Sequence, residues 1–277
     1  MFRNMKVKPF DRLLWKQYWK IAGVVVSVFS FFLIFVPSCY LTKALYSFFA
    51  VEFISYIIAW ICANKLKSVR IKIRNTKIVI KQGDIFSEDG KKVIAVNEYF
   101  DTHVGDGIID EKTLHGIYLK KYATKKDDEL YKEIITALKS ENLVDSNVRI
   151  AAGRPNKYKL GTIYDDKNGF LLLAYSTFDD DNRARLNNFD IASCYMKMWD
   201  QIDIYKGSQS ICLPILGGSG MVRFDGNAFS VQQKIELILW SYRLSGIDLF
   251  DGAELKIIIH ESQISEVNFL ELLNYSD

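Results

Sequence analysis

Three glycines in four positions, Gly217-Gly218-Ser219-Gly220, end an apolar run made of Ile211, Cys212, Leu213, Ile215 and Leu216. Without Cβ atoms in the way, consecutive N–H groups of such a loop can turn toward one anion, which is the chemistry of diphosphate binding. The apolar run reads as a buried strand, and Ser230 with Gln233 three residues on forms a capping box that starts a helix behind the loop. Spacing excludes two sharper functions. No lysine lies between Gly217 and Phe229, so the Gly-x-x-x-x-Gly-Lys-Ser/Thr of a P-loop is absent. The residue two after Ser219 is Met221, so there is no Gly-x-Ser-x-Gly nucleophile elbow, and Ser219 reads as a hydrogen-bond donor.

A second group of polar residues, Asn97-Glu98-Tyr99-Phe100-Asp101, follows the buried strand at 92–96. The carboxyl ends of strands are where open α/β sheets bind ligands. Gly105-Asp106-Gly107-Ile108 is a second small glycine loop, and Asp101, His103 or Asp106 could supply a general base, although no pair of them has a spacing diagnostic of catalysis. His103, His115 and His260 lack metal-ligand spacing, and Cys39, Cys62, Cys194 and Cys212 contain no Cys-x-x-Cys pair. No metal, no cofactor and no disulfide framework is expected, which suits a reducing compartment.

The elements that must position these groups follow from periodicity. Alternating residues at 69–74 and 77–81 are strands with one wet face, running on to Gly83-Asp84-Ile85. Asp127 begins a helix in which Leu130, Ile134 and Leu138 recur every four residues. Strands at 159–164 and 169–175 are joined by the turn Asp165-Asp166-Lys167-Asn168, and Asn188 caps a helix burying Phe189, Ala192, Met196 and Trp199. A helix at 231–244 closed by Gly246, a strand at 255–259 and a last helix near 266–273 complete the order, which is that of a mixed α/β sandwich.

Ahead of this domain, residues 21–42 carry no charge and residues 44–64 carry only Glu52. Each run has the length of a membrane-spanning helix, so a two-span hairpin over 1–64 and a ligand-binding domain over 65–277 are expected. Trp15, Tyr18 and Trp19, Tyr40 and Tyr46, and Trp60 suit interfacial belts. Basic residues crowd both flanks, Arg3 to Lys20 and Lys65 to Lys81, while Lys43 alone sits in the turn at 37–43, so both termini should be cytoplasmic in a two-pass membrane protein. A cleaved signal peptide fits less well, because no small-residue cleavage site precedes a mature domain. Glu52, inside the second span, is either snorkelling to the nearer interface or facing a helix partner or pore in an oligomer. The whole chain is 49% hydrophobic, 25% charged and net +3, which does not announce nucleic-acid binding.

In this order the motifs resemble a macro domain, the ADP-ribose-binding module with an α/β/α sandwich and a mixed sheet. The resemblance covers 65 to the C-terminus. Gly83-Asp84-Ile85 looks like that family's Gly-Asp-Ile, whose aspartate meets the adenine amino group, and Ala95-Val96-Asn97 looks like the strand end whose asparagine contacts the distal ribose. Gly105-Asp106-Gly107-Ile108 and Pro214-Ile215-Leu216-Gly217-Gly218-Ser219-Gly220-Met221 stand at its two phosphate loops. The usual Asn-Ala-Ala-Asn is replaced by Asn97-Glu98-Tyr99-Phe100, so Glu98 and the aromatics would re-line the distal end of the cleft. With His103, Asp106 to Asp110 and Thr113-Leu114-His115-Gly116, the segment is more similar to the membrane-anchored macro effectors of type II Thoeris anti-phage defence, the ThsA family.

That resemblance implies a sensor of an ADP-ribose-derived signal, made by a TIR enzyme and expected to be a histidine conjugate. Glu98, Tyr99 and His103 would favour its added group. The signal would drive homo-oligomerisation and inner-membrane disruption. The competing reading is a membrane-tethered ADP-ribosyl hydrolase using the same cleft, and a third is a structural anchor with a degenerate cleft, against which the intact glycine loops weigh. An enzyme rarely needs two spans, which favours the sensor.

Overall fold

The computed structural model describes residues 6–146, 152–179, 183–186, 188–217, 229–249 and 252–277. Alternation builds the first strand: in β1 (Ser68–Ile73) Val69, Ile71 and Ile73 are buried while Ser68, Arg70 and Lys72 face water. The chain turns back as β2 (Thr76–Gln82) and continues with β3 (Lys91–Asn97), β4 (Leu143–Asp145), β5 (Lys157–Tyr158), β6 (Ile163–Asp165), β7 (Phe170–Phe178), β8 (Ala184–Arg185), β9 (Ile211–Pro214) and β10 (Glu254–Ile259). Among the described residues these form one mixed sheet in the order β1-β2-β10-β9-β3-β7-β6, with β8 against β7, and a separate pair β4-β5. The five central strands β2, β10, β9, β3 and β7 are parallel, and β1 and β6 close the sheet antiparallel.

Seven α-helices are described: α1 (Arg12–Leu33), α2 (Ser38–Lys65), α3 (Leu114–Lys121), α4 (Asp127–Ala137), α5 (Asn188–Tyr205), α6 (Val231–Ser245) and α7 (Phe269–Leu272). The strands explain why helices lie on both faces. In β7, Leu171, Leu173 and Tyr175 enter a core shared with α5, α6 and α7, whereas Phe170, Leu172 and Ala174 enter one shared with α3 and α4. A strand buried on both faces reads as a continuous apolar run. The expected α/β/α sandwich is therefore present, its last helix shortened to one turn flanked by 3-10 turns. Two buried hydrogen bonds brace one face: Trp199 Nε1 donates to Ser241 Oγ at 3.0 Å, joining α5 to α6, and the Tyr242 hydroxyl donates to Thr76 Oγ1 at 2.6 Å, joining α6 to β2.

The N-terminal region departs from expectation. The apolar run 21–42 is divided between two helices, because α1 stops at Leu33 and α2 already begins at Ser38 after Pro37. A proline disfavours helix in the residue before it yet is tolerated at a helix start, so the turn falls at 34–37 rather than at 37–43. By length and composition α2 alone, among the described residues, could cross a membrane, while the apolar part of α1, Ala22–Leu33, is shorter. The helices pack antiparallel, with Phe29 stacked on Phe48 at 4.0 Å. The carboxylate of Glu52 accepts the Tyr18 hydroxyl, which also meets Ser55 Oγ at 2.6 Å. At the base, Trp60 Nε1 donates to the Val7 carbonyl at 2.8 Å, and Val7, Leu14 and Trp60 close a small core with Leu270 of α7. Only Leu66 and Lys67 separate α2 from β1.

Thr76 is 1% exposed and its hydroxyl accepts from both the Tyr242 hydroxyl and the Leu249 amide. Thr76→Val keeps the shape and strands two buried donors, so a loss of about 1 to 3 kcal/mol in denaturant unfolding is expected. A change below ~0.5 kcal/mol, the range of an unremarkable surface substitution, would show that these bonds do not hold α6 to the sheet.

Candidate functional site

The parallel strands bring their carboxyl ends to one side of the sheet, so Gly83-Asp84 after β2, Asn97 after β3 and the Ile215-Leu216-Gly217 turn after β9 share that edge. Neighbouring β9 and β3 pair only through Ile211 with Lys91 and Cys212 with Lys92, after which the ladder ends. From β9 the chain proceeds through α6 to β10 on one side, and from β3 it proceeds to β7 on the other. This is a topological switch point, where a parallel sheet leaves a crevice between diverging connections. The sequence-predicted residues stand on its two sides.

On the β2 side, Asp84 is exposed, and its Oδ1 accepts from the Phe86 amide at 3.0 Å, capping a 3-10 turn at Ile85–Ser87. Ile85 is buried against Cys212 and Ile258, which fixes the base of that turn. Phe86, which the sequence reading passed over, stacks on Tyr122 with ring centroids 4.6 Å apart. On the β9 side, Gly217 has φ 68°, the left-handed region that glycine enters without strain. Its carbonyl accepts from Lys234 Nζ at 2.7 Å. Gly218, Ser219, Gly220 and Met221 lie outside the described residues.

The loop after β3 is wound around its own polar groups. Asn97 Oδ1 accepts from the amides of Tyr99 and Asp101 at 3.1 and 3.3 Å, and its Nδ2 donates to Asp101 Oδ2 at 2.7 Å. Asn97 is 3% exposed, so its side chain shapes the loop. Glu98 is expected at the distal wall of the cleft, but it is 1% exposed and turned into the protein. Its Oε1 accepts from the Phe178 amide at 3.1 Å and its Oε2 pairs with Lys157 Nζ at 3.2 Å. These partners hold β5 and the end of β7 to the loop. Tyr99 is buried.

Asp106 and Gly107, with φ 51° and 74°, are the central residues of a tight turn in which the Ile108 amide donates to the Gly105 carbonyl at 2.9 Å. Positive φ at both positions is the geometry for which Asp-Gly is suited. Ile108 packs inward on the α3–α4 core. The turn aims Asp106 at His103: Oδ2 lies 3.0 Å from Nε2, while Asp127 Oδ2 lies 3.2 Å from Nδ1. Bonds to the two carboxylates raise the His103 pKa above the usual value. Arg154, another residue missed in the sequence, donates to Thr102 Oγ1, Asp127 and Asp128 and lies over the Tyr131 ring at 4.5 Å. A cavity of about 210 Å³ opens here, lined in part by Thr102, His103, Lys120, Lys126 and Asp127. His115, by contrast, is buried and bonded to the Asp101 backbone, with a pKa pushed down to about 3 by burial, so it is a neutral core group.

Residues 78–260 match the family model described as Thoeris protein ThsA, Macro domain. A Thoeris protein ThsA of Bacillus amyloliquefaciens (strain Y2) is 33% identical over 214 residues, covering 76% of this chain and 71% of that protein. The chain belongs to the Thoeris ThsA family. Among solved structures, the Oceanobacillus iheyensis macrodomain with ADP is 16% identical at a TM-score of 0.48, covering 75% of this chain and 95% of that one. The same macrodomain with MES bound gives a TM-score of 0.47 at 16% identity, covering 75% and 96%. The ThsA macro-domain match runs from β2 to the last residues of the edge bearing the crevice, so it takes in every parallel strand and both crevice walls. The helices α1 and α2, the strand β1 and the helix α7 fall outside it.

Within this ThsA domain His103 carries a testable signature. A histidine whose folded pKa is raised stabilises the fold fully below its unfolded value of ~6.5, and loses that contribution as pH rises through the folded value. NMR titration should place His103 above ~6.5, with Asp127→Asn and Asp106→Asn each lowering it. Because the imidazole is largely exposed, the effect on overall stability should be slight. A midpoint unchanged in both variants would sever His103 from these carboxylates.

Proposed function

We propose that the protein is a membrane-anchored Thoeris effector whose macro domain binds an ADP-ribose-derived signal at the crevice between β3 and β9. The observation that carries this reading is α2. It presents Phe49, Val51, Phe53, Ile54 and Ile58 outward, has Trp60 as its one buried residue, and runs into the crevice-bearing sheet through two residues. An apolar surface of that extent is stable in lipid or against other copies of itself and is a liability in water. In this reading the hairpin enters the membrane from the cytoplasmic side and both termini stay there. Signal binding favours an assembly in which hairpins cluster and the membrane is breached.

Asp84 accepts from the adenine amino group, the loop 217–220 takes the diphosphate, and the Asn97 side of the crevice takes the distal ribose. Family resemblance supports a histidine conjugate made by a TIR enzyme, with His103 beside the added group. Two observations favour sensing over hydrolysis. Asp101 is buried and already accepts from Asn97 Nδ2 and the Arg154 amide. His103 sits between two carboxylates that raise its pKa, which leaves less of it in the neutral form a general base needs.

The deciding experiment incubates the full chain in liposomes with ADP-ribose and its conjugates, reading affinity, product formation and dye release together. Ligand-dependent release without turnover is the expected result; turnover without release would select the hydrolase. A chain beginning at Lys65 should bind and release nothing. Asp84→Ala should weaken adenine-containing ligands by about 1.5 to 3 kcal/mol, and equal loss for a ligand without adenine would contradict its role.

Glu52 offers a separate check on the hairpin. Because its carboxylate is held by the Tyr18 hydroxyl, itself in contact with Ser55 Oγ, inside one hairpin, Glu52→Leu should leave ligand affinity intact while changing ligand-triggered release. Tyr18→Phe should shift release in the same direction. Identical release from wild type and both variants would make the cluster a passive one.

A further inference from the structure

The depth to which the hairpin can enter lipid is set by its shorter leg. Lys20 is the last charge of α1, and the apolar part behind it, Ala22–Leu33, rises about 18 Å at ~1.5 Å per residue. The extra length of α2 does not deepen it. The Tyr56 hydroxyl donates to the Pro9 carbonyl at 2.6 Å, Trp60 Nε1 donates to the Val7 carbonyl, and Asn64 Oδ1 accepts from the Val7 amide at 3.0 Å. The end of α2 is therefore docked on the segment 7–14, which closes a core with Leu270 of the folded domain. Further along, the Glu52 carboxylate accepts the Tyr18 hydroxyl, so an acid on α2 stands near the charged end of α1. What remains is 38–51 of α2 beside 22–33 of α1, a band of about 20 Å against a hydrocarbon core of ~30 Å.

The far end of this band is not suited to the middle of a bilayer. Lys43, exposed in the second turn of α2, carries a charge that must reach headgroups. Nor is that end suited to water. Ile34 and Phe35 at the turn are 76% and 71% exposed, with Phe31 and Phe32 exposed beside them. The turn's backbone is closed on itself: the Phe35 amide donates to the Phe32 carbonyl at 3.0 Å, Val36 to Leu33 at 3.1 Å, and Tyr40 to Pro37 at 2.9 Å. Backbone groups met internally in this way tolerate lipid. At the near end Trp15 and Trp19, exposed and edge to face at 5.5 Å, suit the other interface.

We infer that the hairpin fits a bilayer thinner than the ordinary ~30 Å core, and that in a thicker one it draws the two leaflets together around itself. The inference rests on the membrane reading of the hairpin. An apolar stretch shorter than the core is accommodated by snorkelling, by thinning or by oligomerising. Lys43 at one end and Lys20 at the other can snorkel, which closes part of the gap. The remainder falls on the lipid, and hairpins that share one thinned patch deform less lipid than separate ones. Clustering is thereby favoured by the membrane itself.

The test floats the full chain with vesicles of dimyristoleoyl, dioleoyl or dierucoyl phosphatidylcholine, which share a headgroup and differ in chain length. Partition of wild type should fall about tenfold or more from the thinnest to the thickest. Lys43→Leu removes the charge that must reach the far headgroups, so its partition should be nearly independent of chain length. Lys43→Arg keeps the charge and should follow wild type. Equal partition of wild type into all three lipids overturns the inference, and so does a Lys43→Leu partition that falls as steeply as wild type. Should the leucine variant fail to fold, energy transfer between donor- and acceptor-labelled wild-type copies decides. At equal bound density it should rise with chain length, and constant transfer overturns the inference. Failure of wild type to float with any of the vesicles is a different outcome, since it removes the membrane reading itself and the inference with it.

Discussion

Asp101 carries a carboxylate almost out of reach of water, and the surroundings of the crevice are arranged to supply it with donors. Asn97 Nδ2 and the Arg154 amide both point at it, one from the end of β3 and one from the segment leading into β5. Each tie fixes something else. Asn97 also receives two amides of its own loop, so the chain leaves β3 in a single conformation. Arg154 extends its guanidinium to Thr102, Asp127 and Asp128, binding the start of α4 to the same loop. His115 bonds the backbone of Asp101 from α3 as a neutral group, which avoids a second buried charge. One satisfied anion thus organises two helices and the outer wall of the site.

On the other side, Gly217 is held by a cation instead. Lys234 reaches from α6 to the Gly217 carbonyl, so that the two walls of the crevice are held by opposite charges buried at different depths. The β3 wall is braced again by Glu98, whose carboxylate takes the Phe178 amide and Lys157. Glu98 at this point is an internal strut. The exposed polar groups on this side are those of the Asp106-Gly107 turn and His103.

Local rules made much of this legible in advance. The Ser230–Gln233 capping box and Gly246 at φ 74° bound α6 within a residue of the expected limits, because caps act over a single turn. The strands β3, β7 and β10 announced themselves as apolar runs bounded by polar turns, and the Asp165–Asn168 stretch did join an antiparallel pair. What stayed hidden depends on partners distant in the chain. Nothing local marks Arg154 as the mate of Asp101, and a lysine on an amphipathic helix reads as surface until β9 is laid beside it. The helix α3 was missed because its eight residues are too few for periodicity, although Thr113, whose hydroxyl accepts from the Gly116 amide at 3.0 Å, was the available cue. At the N-terminus hydropathy located the apolar segment and a turn at 37–43 but not the helix limits: a count of uncharged residues cannot see that the second helix already begins at Ser38.

The two residues between α2 and β1 have a mechanical meaning. Two extended residues reach at most about 7 Å, so the hairpin cannot tilt far without dragging β1 along. That strand is laddered to β2 from Ser68 with Lys81 to Ile73 with Thr76, and β2 to β10 from Lys77 with Glu254 to Gln82 with Ile259. Hydrogen-bonded ladders stretch little, and β10 leads on to β9, whose end opens one wall of the crevice. The hairpin is therefore geared to the crevice rather than roped to it. In the proposed membrane reading, a roped anchor would report only that two copies are near each other, whereas a geared one would also carry the angle at which each hairpin stands in the bilayer.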